Sequence, residues 1–192
     1  MSKKIIAFVG MPGSGKGTCT DYLASKGYPV IHFGNMVYEE IQRRGLDNVK
    51  DEKFVRLDMR RKEGLSVLAK RASRKADQYF KQGKKTVILD GLYSWSEYMY
   101  LEKKYGEELV VICVFTPRNV RYQRVISRKD SHRAYTVEQI KNREIDEIEN
   151  FEKGGPIARA DYCLTNTKSP RELLKELDEL MDEITADNHA AS

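Results

Sequence analysis

The chain has 192 residues, 40% of them hydrophobic and 33% charged, which is typical of one globular domain with a buried core. Its formal net charge of +5 and its pI near 9.0 suit an anionic ligand. The sequence contains no block of lysine and arginine of the kind that forms nucleic-acid-binding tails. The charge therefore favours nucleotide phosphates over nucleic acid as the partner.

Apolar runs and helical patterns alternate along the chain. Five apolar runs predict β-strands, at 3–9, 28–33, 86–91, 109–115 and 161–165. Helices are predicted at 18–26, 36–44, 53–82 with a break at Gly64, 94–105, 118–128, 136–153 and from 169 onward. Asn35 is expected to cap the second helix, and 154–156 to form a break. This alternation predicts an α/β three-layer sandwich with a five-stranded parallel sheet, in one domain of residues 1–192.

Three cysteines and the N-terminal segment indicate the cellular compartment. Cys19, Cys113 and Cys163 are far apart, and the last two lie in apolar strand-like runs, which predicts buried free thiols in a reducing compartment. Lys3 and Lys4 lead directly into a short strand, so we expect no signal peptide. No apolar run approaches transmembrane length. We expect a soluble, cytoplasmic protein that does not associate with membranes.

A glycine-rich segment joins the first predicted strand to the first predicted helix. Residues 10–18, GMPGSGKGT, fit the pattern G-x-x-x-x-G-K, with the hydroxyl residue one place later than usual. Glycines let several backbone N–H groups converge on one anion at a helix N-terminus, and the lysine adds a charge for the β- and γ-phosphates. We therefore predict a nucleotide phosphate site whose contacts come from Gly13, Ser14, Gly15, Lys16, Gly17 and Thr18.

A carboxylate follows the third predicted strand, and ligands of parallel sheets bind beyond the carboxyl ends of the strands. Asp90 has the position of the acidic residue that handles Mg²⁺ or its water in P-loop enzymes, although it could instead only cap the next helix. Gly17 stands where many P-loops have the hydroxyl that binds the metal, so we expect Asp90 to contact Mg²⁺ through water and Thr18 to contact phosphate. We interpret His32, alone in an apolar strand, as a core or edge residue.

Basic residues follow the fourth predicted strand. Arg124 and Arg128 lie four residues apart on one predicted helix face, and Arg143 follows the polar, basic loop 129–135. Phosphoryl transfer depends on positive charge placed around the γ-oxygens, and a loop that closes over the phosphates excludes water. We predict that these arginines serve that purpose; an exposed basic helix is the alternative.

Together these residues resemble the nucleoside-monophosphate kinase group of P-loop kinases. The glycine-rich loop looks like that of adenylate kinase, including Gly17 after the lysine, and Asp90-Gly91 looks like the Asp-Gly that ends the third strand. Arg124 and Arg128 match the paired arginines that enter the lid. Residues 160–166 are similar to the closing strand of dephospho-CoA kinases and of small adenylate-kinase-related proteins, and parts of 61–71 resemble the latter group.

The resemblance implies ATP as the phosphoryl donor, Mg²⁺ as the metal and a small-molecule acceptor. It implies an acceptor-binding helical part at about 35–82 and a short lid at about 128–143. Arg124 would pack on the donor adenine. The residues expected to act in catalysis are Lys16, Asp90, Arg128 and Arg143, and those expected to bind the acceptor are Gly34, Asn35, Tyr38, Gly91 and Tyr93.

Two departures from the family pattern concern the acceptor. Tyr38 and Tyr93 stand where adenylate kinases have arginines that grip the acceptor phosphate. Their replacement removes two charge-assisted contacts of about 1.5–3 kcal/mol each, although a tyrosine hydroxyl can still form a hydrogen bond. The lid segment also has no cysteine cluster for zinc. The donor half of the pattern is intact, whereas the acceptor half is altered.

These observations predict an ATP-dependent kinase. Its acceptor would be a nucleoside monophosphate held by substitute arginines, for which Arg43, Arg44, Arg56 and Arg60 are the candidates. A hydroxyl acceptor, dephospho-CoA or a nucleoside, is the alternative within this class. A nucleotide switch is a second class, but the guanine signature N-K-x-D has no counterpart in the sequence. A non-catalytic nucleotide or RNA binder is the third.

Overall fold

The computed structural model describes residues 3–47, 50–127 and 136–186. Within them five strands form one sheet: β1 Lys4–Val9, β2 Val30–His32, β3 Thr86–Asp90, β4 Leu109–Phe115 and β5 Tyr162–Thr165. Their order is β2-β3-β1-β4-β5, and every neighbouring pair is parallel. The predicted five-stranded parallel sheet is confirmed, and the strand that leads into the glycine-rich loop is its central strand.

Helices cover the sheet. They are α1 Lys16–Ser25, α2 Phe33–Arg43, α3 Glu52–Glu63, α4 Val67–Lys81, α5 Trp95–Tyr105, α6 Arg118–Ile126, α7 Val137–Glu149, α8 Gly154–Ala158 and α9 Pro170–Ala186. Capping boxes begin two of them: Ser94 with Glu97 at α5, and Thr136 with Gln139 at α7. In the described ranges no helix combines the length and apolar character needed to cross a membrane.

The strands are apolar throughout because both faces of the sheet are covered. Neighbouring residues of β3 illustrate this: Val87 and Leu89 belong to the apolar cluster that includes residues of α2, α4 and α5, whereas Ile88 belongs to the cluster with α1 and α9. All three are fully buried. Helices on both faces therefore leave the strand ends as the place where polar side chains can meet.

Several expectations about local structure are wrong. The helix α2 begins at Phe33, and Asn35 lies in its first turn, because the buried Phe33 side chain packs in the same core as Met36. Residues 154–156 belong to the short helix α8, since Pro156 lies in its first turn, where a missing N–H costs no helical hydrogen bond. Cys163 is exposed, because β5 is an edge strand.

Candidate active site

The glycine-rich loop packs closely against β4 and α6. Gly10, Gly13 and Gly15 have φ values of 142°, 79° and 101°, which L side chains rarely adopt. A Cβ on Gly10 would lie 2.5 Å from the carbonyl oxygen of Val114, and one on Gly13 would lie 2.7 Å from that of Arg121. The loop conformation therefore requires glycine, and it ends where α1 offers the free backbone N–H groups of its first turn.

Side chains from the ends of β4 and β5 hold the loop from behind. The Asn166 amide donates to the carbonyl oxygen of Ser14 over 2.8 Å, and the Thr116 hydroxyl donates to the same oxygen over 2.9 Å. Both side chains are buried. The sequence analysis did not predict these two contacts, because nothing in a local pattern connects position 14 to position 116 or 166.

Arg124 lies beside these loop supports. Its guanidinium donates to the Asn166 carbonyl oxygen over 3.3 Å and to the Thr116 hydroxyl over 3.4 Å. Arg121, on the same helix, is buried and pairs with Glu144 of α7, so it joins two helices. Arg128 and the loop 129–135 lie outside the described residues.

Lys16 turns back over the glycine-rich loop. Its ammonium donates to the carbonyl oxygens of Gly10, over 2.7 Å, and Met11, over 3.4 Å. Loss of hydration lowers the pKa of Lys16 to about 7, and the charge of Lys153 adds to this effect, while Asp90 opposes it. The ammonium therefore lies within electrostatic reach of both side chains.

Asp90 is held by a neighbour on the edge strand. His32 and Asp90 are register partners in β2 and β3, and His32 Nδ1 lies 2.9 Å from Asp90 Oδ2. This hydrogen bond raises the pKa of His32. Asp90 does not cap the following helix, since Ser94 is the N-cap of α5. His32 lies on an edge strand as expected, but the sequence analysis missed its contact with Asp90.

A buried charged group lies where α7 ends. Glu147, 1% exposed, accepts from Lys153 Nζ over 2.5 Å and from Arg143 Nε over 3.0 Å. Burial favours the neutral acid, but the charges of Lys153 and Arg143 outweigh it and hold the pKa of Glu147 at about 2. The Tyr93 hydroxyl lies near this carboxylate and interacts with it electrostatically. We call Tyr93, Arg143, Glu147 and Lys153 the Glu147 cluster.

The end of α7 explains how Lys153 reaches Glu147, six residues earlier. Glu152 has a positive φ of 52°, and the backbone N–H of Lys153 donates to the Glu147 carbonyl oxygen over 3.2 Å. This is the left-handed helix end that glycine usually supplies. Because glutamate occupies the position here, the sequence predicted a longer helix, to 153, and gave no sign of the turn.

Helix α3 adds two arginines at the same place. The Cζ atoms of Arg56 and Arg60 each lie 4.9 Å from the centre of the Phe151 ring, and Arg56 lies 4.9 Å from that of Tyr93. Arg60 is 3.3 Å from Glu97 Oε1. Of the predicted substitute arginines, Arg43 and Arg44 pair instead with acidic residues of α2 and α3.

The other predicted acceptor residues lie on two sides of α2. Tyr38 packs against the apolar core, and Gly34, one turn earlier, is exposed. Asn35 lines a separate cleft of about 380 Å³ with Glu39, Lys75 and further residues of β2 and α4. Gly91 follows Asp90 with a φ of 93°. Tyr93 is thus the predicted acceptor residue that the structure brings to the Glu147 cluster.

The glycine-rich loop, its lysine and the carboxylate at the end of β3 occur in a sheet with this strand order. Together they define a P-loop fold of the kinase type. The profile of the family described as "AAA domain" matches residues 9–141. The UPF0200 protein of Thermococcus kodakarensis is 34% identical over 182 residues, which cover 94% of this chain and 97% of that protein. The chain belongs to the UPF0200 family and to the family of that AAA domain. The UPF0200/UPF0201 protein of Archaeoglobus fulgidus is 33% identical over 183 residues, and the chain spans 56% of its length.

Solved structures share the fold. TT1252 from Thermus thermophilus matches with a TM-score of 0.64 and 23% identity, over 95% of this chain and 98% of that one. A gluconokinase from Sinorhizobium meliloti 1021 matches with a TM-score of 0.61 and 15% identity, over 98% of both chains. Shikimate kinase from Acinetobacter baumannii matches with a TM-score of 0.57 and 17% identity, over 96% and 94% of the two chains. The predicted α/β fold and the resemblance to P-loop kinases are confirmed.

Proposed function

We propose that the protein transfers the γ-phosphoryl group of ATP to a small, nucleotide-like acceptor, a nucleoside monophosphate in the first instance. The observation that carries this proposal is that Lys16, in the loop after β1, lies within electrostatic reach of Asp90 at the end of the neighbouring strand β3 and of the Glu147 cluster. The charge of Lys16 responds to Asp90, Glu147, Arg143 and Lys153, so these groups share one electrostatic site. A phosphate-binding loop that served binding alone would not need this second set of charges.

The chain's residues fit the nucleotide. Gly10 and Gly13 let the glycine-rich loop pack directly on β4 and α6. The loop ends at the N-terminus of α1, where backbone N–H groups can bind phosphate. Lys16 would hold the β- and γ-phosphates, and Thr18, which is exposed in the first turn of α1, would contact them. Arg124, beside the ends of β4 and β5, would cover the adenine.

The residues also fit a magnesium ion held through water. Asp90 Oδ2 accepts the hydrogen bond of His32, and within the described ranges Oδ1 makes none. Gly17 offers no hydroxyl as a direct ligand, so Asp90 would bind water of the metal shell. When bound, Mg²⁺ neutralises charge on the β- and γ-phosphate oxygens.

In the transfer, the bond between the γ-phosphorus and the bridging oxygen breaks, and a bond to an acceptor oxygen forms. ADP leaves with the electron pair of the broken bond. Lys16, Arg143 and Lys153 would stabilise the charge of the transferring group, which is the main task of the protein in such reactions. We infer that residues 1–192 act as one kinase domain, with the acceptor over 35–82 and a lid at 128–143, where Arg128 would meet phosphate.

A hydroxyl acceptor, such as a nucleoside or dephospho-CoA, is the second candidate, and the pair of Asp90 and His32 favours it. A hydroxyl must release a proton when it attacks, and a carboxylate held at the transfer site can accept that proton. A phosphate acceptor reaches the site already ionised and needs no such base.

The test is ADP release from ATP and Mg²⁺ with a panel of acceptors: AMP, CMP, UMP, GMP, the matching nucleosides, dephospho-CoA, shikimate and gluconate. We expect one class to stimulate ADP release well above the rate with water. Lys16→Ala should abolish the stimulated rate, because the transition state loses its main phosphate cation. Binding of ATP without stimulation by any acceptor would count against a kinase.

A further inference from the structure

Two cations meet on one aromatic ring near the transfer site. Arg56 Cζ lies 4.9 Å, and Lys153 Nζ 4.6 Å, from the centre of the Tyr93 ring. Phe151 meets that ring edge to face, with centroids 5.3 Å apart, and also touches Arg56. The aromatic side chains shield both cations from water and limit where they can point.

Arg56 differs from the other arginines of the acceptor half. Arg60 is tied to Glu97, and Arg44 to Glu40 and Asp58. The guanidinium of Arg56, by contrast, forms neither an ion pair nor a hydrogen bond with any described residue, and its Nε is buried. A buried donor without an acceptor is unfavourable, and buried polar groups in proteins normally have a partner, so we expect a ligand to supply one here.

The carboxylates near Arg56 bind other cations. Glu147 binds Arg143 and Lys153, and Glu97 Oε1 lies 3.3 Å from Arg60. Lys153 and Arg60 both lie within electrostatic reach of Arg56. Among the described residues, Arg56 therefore has cationic neighbours and forms no ion pair with a carboxylate.

We propose that Arg56 and Lys153 bind an anionic group, a phosphate or a carboxylate, that belongs to the acceptor. This inference rests on the proposed kinase function. It places the anion contacts on α3 and at the turn after α7, whereas adenylate kinases have arginines at the positions of Tyr38 and Tyr93. Tyr93 remains part of the site, since both cations lie over its ring and its hydroxyl lies near Glu147.

The proposal narrows the acceptor to molecules that are anionic at neutral pH. Nucleoside monophosphates, dephospho-CoA and hydroxy acids meet this condition, whereas uncharged nucleosides do not. A guanidinium also fits both oxygens of a phosphate or carboxylate, a geometry that an ammonium does not offer.

The test compares Arg56→Met with wild type in equilibrium binding. The probes are AMP, inorganic phosphate and shikimate, each added to protein saturated with a non-hydrolysable ATP analogue and Mg²⁺. We expect wild type to bind at least one of them, and Arg56→Met to bind it about 10- to 100-fold more weakly. Affinity for the ATP analogue should change less than about twofold.

Two control variants distinguish loss of the anion contact from a general effect on folding or binding. Arg61→Met removes an exposed arginine from the same helix and should leave all affinities unchanged. Arg56→Lys should restore only part of the lost affinity, because lysine keeps the charge but cannot donate two parallel hydrogen bonds to one anion as a guanidinium does. Adenosine, the uncharged partner of AMP, should bind wild type and Arg56→Met equally.

The outcomes distinguish the two proposals. Equal anion binding by wild type and Arg56→Met, or no binding of any anion by wild type, overturns the assignment of the anion site. If Arg56→Met loses anion binding but wild type transfers no phosphoryl group, the anion site is supported and the proposed kinase function is contradicted. If both wild type and Arg56→Met transfer phosphate to an uncharged nucleoside at the same rate, the kinase function is supported and the anion site is contradicted.

Discussion

His32 Nδ1 lies 2.9 Å from Asp90 Oδ2, and the two residues are register partners at the ends of β2 and β3. The contact fixes one carboxylate oxygen of Asp90 and so determines where the other can point. Since Asp90 is the residue proposed to hold the water shell of Mg²⁺, His32 acts as its positioning residue. The pair also connects the edge strand to the transfer site.

We expect His32→Ala to lower kcat about tenfold and to raise the Mg²⁺ concentration needed for half-maximal rate, because Asp90 loses an oriented hydrogen bond worth about 1 kcal/mol or more. His32→Asn is the matched control, since its amide nitrogen can take the place of Nδ1 and should restore most of the rate. The measurement is a Mg²⁺ titration of initial rates. Equal Mg²⁺ dependence in wild type and His32→Ala would show that His32 does not position the carboxylate.

Binding of ATP should be accompanied by proton uptake. The pKa of Lys16 is about 7, so at pH 8 most of the free protein carries a neutral lysine, and bound phosphates would restore its charge. Affinity for ATP should therefore fall as the pH rises above about 7, by up to tenfold per pH unit. Calorimetry at pH 8 in two buffers with different ionisation enthalpies measures the uptake, which we expect to be most of one proton.

Lys16→Arg is the control for this proton, because arginine stays charged at pH 8. The variant should bind ATP without a buffer-dependent heat. If the wild-type heat were independent of the buffer, Lys16 would already be charged in the free protein.

Two glycines of the loop should respond oppositely to the same change. Gly13→Ala adds a Cβ 2.7 Å from the Arg121 carbonyl oxygen at a φ of 79°, so we expect it to abolish ATP binding and to destabilise the fold by more than about 2 kcal/mol. Gly17→Ala adds a Cβ with nothing within 4 Å, inside a helix, and should raise stability by about 0.5–1 kcal/mol. Urea unfolding of both variants checks this; a stable, ATP-binding Gly13→Ala protein would contradict it.

Glu97 should make stability depend on pH. Its side chain is fully buried, and burial raises its pKa from 4.5 to about 7, against the opposing effects of Arg60 and the backbone N–H groups of Tyr93 and Ser94. The folded state thus keeps a proton that the unfolded chain releases. This contribution is complete below about pH 4.5 and is lost as the pH rises through 7, a loss of up to about 3 kcal/mol.

Glu97→Gln removes this titration and keeps an oxygen that can accept from the backbone. The difference in unfolding free energy between wild type and Glu97→Gln, measured in urea from pH 5 to 8, should shift against wild type as the pH rises. A constant difference would show that folding does not raise the pKa of Glu97 above about 5.

The sequence predicted what local patterns determine. Continuous apolar runs identified all five strands, and Ser94 with Glu97 identified the start of α5, because a capping box is complete within four residues. The glycine-rich loop was equally local. These signals sufficed for the sheet and for the position of the glycine-rich loop, on which the proposed donor site rests.

The contacts of the acceptor side could not be predicted in the same way. Arg56 contacts Tyr93 because α3 and the segment after β3 lie close together in space. Lys153 contacts Glu147 because Glu152 adopts a left-handed conformation, which the sequence does not predict in the absence of glycine. Four arginines were equivalent in the sequence, and only the positions of Glu40, Asp58 and Glu97 separate Arg56 from the rest.

The strand order β2-β3-β1-β4-β5 places two groups of residues on opposite sides of β1. The supports of the glycine-rich loop, Thr116 and Asn166, come from the β4–β5 side. Asp90 ends β3, and Tyr93 follows it, on the other side of β1. Under the proposed function, substitutions on α3 that change the acceptor contacts would leave Thr116 and Asn166, the anchors of the loop, in place. Binding of the donor and choice of the acceptor would then be separately alterable parts of one sheet.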